Sequence, residues 1–385
     1  MRLIIKNLIL GVLSVQLLCM CNKQSDVYVQ LNTSDISDNT LLSQNFRLKE
    51  IIVLDTVPEA YCNTDKINNL LFIENKIIIS DYASPNINVF DRTTGKLVRS
   101  INRAGRGPEE YSHNKRIVLQ DNKSIIAENY SGYLNFYNVN GDYLKQTSAP
   151  VAKNQMNEIM ITSDGNFLIS RELVGLYTHT DNLNPYYSAM LVSEAGIELK
   201  GSIERPTNIP KLLIKSISST FYKYDSDIYL SPLTENSIYK YSTQDSVFIP
   251  LIKFIIDGID VETELLKENF DPVSFLNKYD RLYIQAITKS FYIVSLNNTS
   301  KNRKLYLVIN KNNNKVNTFI NDGSIDMLRG RFVRNSEGYL VQIITYHDMV
   351  NESEELIDSE LVRLINSKTE ISERTNAILC IYEEL

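Results

Sequence analysis

Ile77–Val98 reads IIISDYASPNINVFDRTTGKLV, and Ser124–Leu144 reads SIIAENYSGYLNFYNVNGDYL. At an offset of 47, Asp81 meets Glu128, Ile87 meets Leu134, Asn88 meets Asn135, Val89 meets Phe136 and Phe90 meets Tyr137. One deletion later, Gly95 meets Gly141. In both copies short apolar alternations are separated by Asn, Asp and Gly, the pattern of half-buried strands joined by tight turns. Each copy holds two strands joined by a loop, then a turn and a further strand. Self-similarity at such a spacing marks a repeat architecture.

Weaker copies follow: GNFLIS with SAMLVSEAGIELKGSI, then SDIYLSPLTENSIYKYSTQDSVFIPLI, then SFYIVSL with KLYLVINKNNNKVNTFI, and finally GYLVQIITY with NAILCIYEEL. Counting the strand ahead of each pair, six units begin near Ile67, Lys115, Asn157, Ile217, Arg281 and Gly330. Four strands per unit at this spacing predict an all-β chain folded as a six-bladed β-propeller. The last unit lacks its outermost strand, and Asn45–Val57, NFRLKEIIVLDTV, is a spare strand at the other end. Pairing the two closes the ring and leaves no sheet edge at the seam. A linear β-solenoid or a pair of sandwiches is the alternative, and the spare strand argues against both.

Such a blade sends its links to two faces. The turns between strands one and two, and between three and four, are short: ENK, DNK, SDG, RTTG, NVNG, SEAG and NKNNN. The opposite face takes the insertions 173–185, 204–211, 257–279 and 347–375, and also the corner NRAGRGPEEY, 102–111. Apolar residues at helical spacing in VETELLKE (261–268) and SEELIDSELVRLINS (353–367) predict short helices capping that rim, either over the sheet ends or against a ligand.

At the start of the chain, Arg2 and Lys6 precede the apolar run NLILGVLSVQLLCM, which is too short to span a bilayer and stay there. This predicts an export signal over residues 1–20. Its end resembles a bacterial lipoprotein signal in which Cys21 is acylated; Leu18 fits the pattern, whereas Met20 stands where a small residue is usual. An ordinary secretory signal is the alternative. Removal of Arg2 and Lys6 takes the formal charge from −6 to −8, and no basic block remains, which excludes a nucleic-acid partner. Residues 21–44 are polar and rich in Ser, Asn and Asp, and are expected to be a flexible tether before a propeller domain at 45–385. Cys62 and Cys380 are then the remaining thiols, and the sequence leaves open whether they form a disulfide.

Together, the lipoprotein signal, GRGPEEY, INVFDRTTGKLV and NAILCIYEEL resemble the six-bladed β-propeller lipoproteins of Bacteroidetes, which are similar to NHL-repeat propellers. Glu109 departs from the resemblance, standing where a second small residue is typical. The resemblance implies a fold and a cell-envelope location, lipid-anchored in the outer membrane, and no particular reaction.

The corner 101–111 has two readings. In the structural one, Gly105 and Gly107 take positive φ and Pro108 fixes its own, so that the chain can cross between blades. Glu110 then accepts backbone N–H bonds and Tyr111 packs over the blade junction. In the functional one, Arg103, Arg106 and Glu109 point into the central mouth beside Tyr82 and Tyr130, the guanidinium groups holding a carboxylate or phosphate bidentately and the tyrosine rings flanking a sugar or peptide.

Chemistry is sparse. His113, His179 and His347 stand alone, without HxH, HExxH or CxxC spacing, and no nucleophile elbow or phosphate loop occurs. The remaining catalytic reading is a propeller hydrolase or lyase with a calcium-like ion in the channel, for which Asp81, Glu128 and Asn129 are candidate ligands. Tryptophan is absent and there are 23 tyrosines, many in strands where they serve sheet packing, which weighs mildly against a glycan site. The sequence therefore favours a monomeric, non-enzymatic binder of a peptide, glycan or envelope protein, with no cofactor.

Overall fold

In the computed structural model, the described residues are 27–32, 44–64, 67–81, 84–111, 117–120, 124–128, 133–148, 158–170, 186–205, 220–232, 235–265, 267, 281–298, 303–320, 331–335, 337–350, 360–369, 372 and 374–385. They form a six-bladed β-propeller. Blade 1 is β3 (Ile67–Ile73), β4 (Lys76–Asp81), β5 (Ile87–Asp91) and β6 (Leu97–Ile101). Blade 2 is β7 (Ile117–Gln120), β8 (Ser124–Glu128), β9 (Tyr133–Asn138) and β10 (Tyr143–Ser148). Blade 3 comprises β11 (Glu158–Ile161), β12 (Phe167–Ser170), β13 (Tyr186–Val192) and β14 (Glu198–Arg205). Blade 4 comprises β15 (Thr220–Tyr224), β16 (Asp227–Ser231), β17 (Ser237–Ser242) and β18 (Val247–Ile256). Blade 5 holds β19 (Arg281–Ile287), β20 (Phe291–Asn298), β21 (Arg303–Asn310) and β22 (Val316–Ile320). The six expected starts fall no more than three residues from the observed inner strands.

Blade 6 is made from both ends of the chain: β23 (Arg331–Asn335), β24 (Leu340–Ile344), β25 (Ile378–Glu384) and, as the outer strand, β2 (Phe46–Val53). β2 runs antiparallel to β25 from Phe46↔Glu384 to Val53↔Ile378, so the expected closure is present. Along β25 the period of two serves two neighbours. Ile378, Cys380 and Tyr382 join one core cluster with residues of blade 5, while Leu379 and Ile381 join another with residues of blade 1. A parallel bridge between the inner strands, Arg334↔Asn69 and Asn335↔Leu70, fuses blades 6 and 1 into one eight-stranded sheet.

Polar contacts repeat from blade to blade. Arg99, Lys145 and Lys200 occupy matching places in the outer strands of blades 1, 2 and 3. Each reaches the three–four turn of the next blade: Arg99 donates to the Asn140 carbonyl, Lys145 pairs with Glu194, and Lys200 donates to the Asp245 carbonyl. At the seam the direction reverses, because Arg92 in the turn of blade 1 pairs with Glu50 of β2 at 3.1 Å and with Glu337 of blade 6 at 2.8 Å.

The structure adds detail to the sequence reading in three places. The expected tether contains a strand, β1 (Val27–Leu31), which adds in parallel to the outer edge of β18 from Val27↔Ile252 to Leu31↔Ile256. Val29 and Leu31 point into the core, whereas Tyr28 and Gln30 face out. Cys62 and Cys380 are both buried and both free thiols. Burial pushes the Cys380 thiol up to about 12, so it stays protonated and unreactive. Of the expected rim helices, α1 (Val261–Leu265) and α3 (Glu360–Lys368) form, and α2 (Tyr346–Val350) adds a third. Val362 and Ile365 bury their side chains, and Lys368 donates to the Ile51 carbonyl at 3.0 Å, so α3 covers a sheet end.

Candidate functional site

The corner between blades 1 and 2 is built from the inside outwards. Tyr111 is fully buried, stacks edge-on against Tyr137 at 5.8 Å, and donates its hydroxyl towards the carbonyls of Pro85 (2.8 Å) and Ile101 (2.9 Å). That hydroxyl also accepts the Arg103 N–H at 3.1 Å. Burial pushes both Tyr111 and Tyr137 up to about 12, so neither ionises near neutral pH. From blade 2, Asn135 Nδ2 donates to the carbonyls of Pro108 (3.1 Å) and Glu110 (2.8 Å), and the Tyr137 hydroxyl donates to the Glu109 carbonyl at 2.8 Å. The structural reading of the corner is thus fulfilled at Tyr111 and Glu110.

The two glycines act differently from expectation. Neither Gly105 nor Gly107 lies in the left-handed region. Gly105 is needed because Glu110 folds back over it: a Cβ there would stand 1.9 Å from Glu110 Oε2, the oxygen that accepts the Gly107 N–H at 2.6 Å. We expect Glu110→Ala to cost about 2 kcal/mol, since it removes a charge-assisted bond from a half-buried loop. Gly105→Ala should cost about the same by ejecting the carboxylate, and the double variant no more than either alone. Additive losses in urea denaturation would show that the two residues do not act on one another.

A second corner, overlooked in the sequence, lies at the seam. Pro58-Glu59-Ala60-Tyr61 repeats Pro108-Glu109-Glu110-Tyr111, and the backbone bond Ala60 N–H to Val57 O matches Glu110 N–H to Gly107 O. Buried Asn88, the counterpart of Asn135, contacts Cys62 just after this corner. The short PE-x-Y match was the available signal. In this copy the tyrosine turns outwards, leaving Tyr61 68% exposed.

Asp81 joins the two corners. Its carboxylate is buried and accepts the N–H of Asn63 at 3.0 Å and of Ser84 at 2.7 Å, while Pro85, next in that loop, is gripped by Tyr111. Corner, loop and corner therefore form one hydrogen-bonded platform on the long-insertion face. Asp81, one of the candidate calcium ligands of the catalytic reading, clasps the platform. At the surface of the platform Arg103 Nη1 faces Glu109 Oε2 at 3.6 Å, with both side chains substantially exposed, and Arg106, Glu59 and Tyr61 are exposed as well.

Tyr82, Tyr130, Asn129, His113 and His179 lie outside the described residues, as does the side chain of Glu128. His347 sits exposed on α2. Among the described residues no three His, Cys, Asp or Glu side chains converge as a metal site would require.

Residues 27–383 match the family described as a domain of unknown function, DUF4934. The chain belongs to that family. The matched region begins at the first residue of β1. Among solved structures, the DUF4934 chain is similar to a Bacteroides fragilis protein inferred to be exported, with 16% identity, a TM-score of 0.71, and 93% of this chain and 100% of that one covered. Lower similarity extends to the hydrazine synthase of Kuenenia stuttgartiensis (9% identity, TM-score 0.40, 73% and 74% covered). It extends also to the extracellular domain of a two-component system from Bacteroides thetaiotaomicron (10% identity, TM-score 0.38, 76% and 34% covered). No curated protein sequence matches the chain significantly.

Proposed function

We propose that this DUF4934 protein is a cell-envelope lipoprotein, anchored through Cys21, that binds a partner on the long-insertion face of its propeller and catalyses no reaction. The observation that carries the reading is the platform: two interblade corners, locked by buried Asn88, Asn135, Tyr111 and Asp81, present Arg103, Arg106, Glu109, Glu59 and Tyr61 to solvent. A hydrogen-bonded backbone presenting charged side chains and an exposed ring is suited to recognition, because little backbone ordering entropy is lost on contact. The Arg103–Glu109 pair is loose and solvent-screened, so a partner's carboxylate can replace Glu109 at small cost. The partner class is a carboxylate-bearing peptide, protein or acidic glycan with an apolar surface for Tyr61. The export-associated neighbour in Bacteroides fragilis agrees with an envelope setting.

Capture from envelope extract by residues 22–385 tests this reading. Arg103→Ala with Arg106→Ala should weaken retention of the captured partner roughly tenfold or more, since arginines at such positions carry a disproportionate share of binding energy. Both side chains are at the surface, so the melting temperature should stay unchanged. Equal retention by the double variant would remove the platform from consideration.

A further inference from the structure

Strand β1 gives blade 4 a new outer edge, and its register tells which backbone groups that edge presents. Successive residues of a strand turn their N–H and C=O groups to opposite sides. The Leu31 carbonyl accepts the N–H of Asp257 at 2.7 Å, so Leu31, Val29 and Val27 turn their backbone groups towards β18. Tyr28 and Gln30 therefore turn theirs away, and among the described residues no strand pairs with them. Both side chains are exposed, that of Tyr28 in a residue 59% accessible. The N–H and C=O groups of these two residues thus stand open at the rim of the propeller.

An open edge is a template for a further strand, and sheets commonly blunt it with charge or proline. Arg99, Lys145 and Lys200 lie on the outer strands of blades 1, 2 and 3, and Arg47 and Lys49 on β2. Exposed Pro250 interrupts β18 just ahead of the stretch from Ile252 that β1 covers. β1 itself, VYVQL, carries neither a charge nor a proline. β22, VNTFI, is also uncharged, but its described side chains are half-buried. VYVQL is moreover complementary to itself. Laid antiparallel about Val29, Tyr28 of one copy faces the partner's Gln30, and each such pair exchanges two backbone bonds, so that all the open groups are satisfied at once. Val29 meets the partner's Val29 at the non-hydrogen-bonded place between them, and no charge opposes its like. We propose that two copies of this chain associate rim to rim through antiparallel β1 strands, an isologous contact that joins two five-stranded sheets into one of ten. The platform, at the junctions of blades 6, 1 and 2, lies across the ring from this contact and stays open in both copies.

Sedimentation velocity of residues 22–385 over about 1 to 300 µM tests the association, since a short edge contact gives a dissociation constant in the micromolar range. Tyr28→Lys with Gln30→Lys sets two lysines opposite one another in each pair and should weaken dimerisation roughly tenfold or more. Tyr28→Lys with Gln30→Glu sets lysine against glutamate in the same register, and at low salt should restore dimerisation to within about threefold of the unaltered chain. Both side chains face outwards, so neither variant should shift the melting temperature. A monomer at every concentration, or a dimer whose dissociation constant the paired lysines leave unchanged, overturns the proposal. Equal losses in the two variants overturn it as well, because residues 28 and 30 would then not face each other across the contact.

Discussion

A chain beginning at Pro58, and so lacking β1 and β2, should fail to form the closed ring, whereas a chain beginning at Leu42, lacking only β1, should fold with reduced stability. Phe46, Ile51, Ile52 and Leu54 are all buried in the seam. At about 1.5–3 kcal/mol for each large apolar side chain, their loss removes about 6–12 kcal/mol. Native stabilities are of order 5–15 kcal/mol, so little would remain. The polar side of the seam fails too: Asn376 Nδ2 loses the Asp55 carbonyl it meets at 2.9 Å, and Arg92 loses Glu50. β25 would then become a bare edge with the run ILCIY along it, which invites aggregation. Loss of β1 removes the buried Val29 and Leu31 from the core, for about 3–6 kcal/mol. A synthetic peptide spanning Asn45–Asp55 should restore a cooperative melt to the shorter chain, in proportion to its concentration. A Pro58 chain that melts at the temperature of residues 22–385 would mean that ring closure contributes nothing.

The repeat, the blade starts and the closing strand were legible because they rest on short-range chemistry: alternation with a period of two, and turn residues at set offsets. β1 was not legible for the opposite reason. VYVQL does alternate, with Val27, Val29 and Leu31 inward, but Tyr28 on the outward face blurs the contrast, and its partner lies over 200 residues away. In the corner, Glu110 and Tyr111 could be assigned from residue type, yet Gly105 was misread. Glycine is usually needed for its backbone freedom, and here it is needed for the space a folded-back carboxylate takes. Tyr61 was missed because only four residues carry the likeness to Pro108–Tyr111, without the flanking glycines. At Asp81 an acidic residue at a strand end was compatible with a cation ligand or with a structural clasp, and the structure has both its oxygens accepting backbone N–H groups.

Three glycines with the same backbone sign should separate strain from contact. Gly95, Gly141 and Gly165 have φ of +70, +83 and +83°. Replacing any of them by alanine places a Cβ in the left-handed region, at about 1 kcal/mol. A Cβ at Gly165 meets nothing within 4 Å, so Gly165→Ala should cost little beyond this. At Gly141 it would press on the Ile101 side chain at 2.9 Å, which can turn aside. At Gly95 it would lie 2.0 Å from the Val53 carbonyl oxygen, in the backbone of β2, where no rotamer change gives relief. The turn must then move off the closing strand, and two bonds stretch with it: Asp55 N–H to Gly95 O at 2.9 Å and Leu97 N–H to Asp55 Oδ2 at 3.1 Å. Adding those bonds at about 1 kcal/mol each to the strain and lost packing gives about 3–5 kcal/mol for Gly95→Ala. Urea midpoints should therefore fall in the order Gly165, Gly141, Gly95, with the slope unchanged if the ring stays closed. Equal losses at all three positions would show that strain alone fixes these glycines and that the approach of β2 to the blade 1 turn is not what holds the seam.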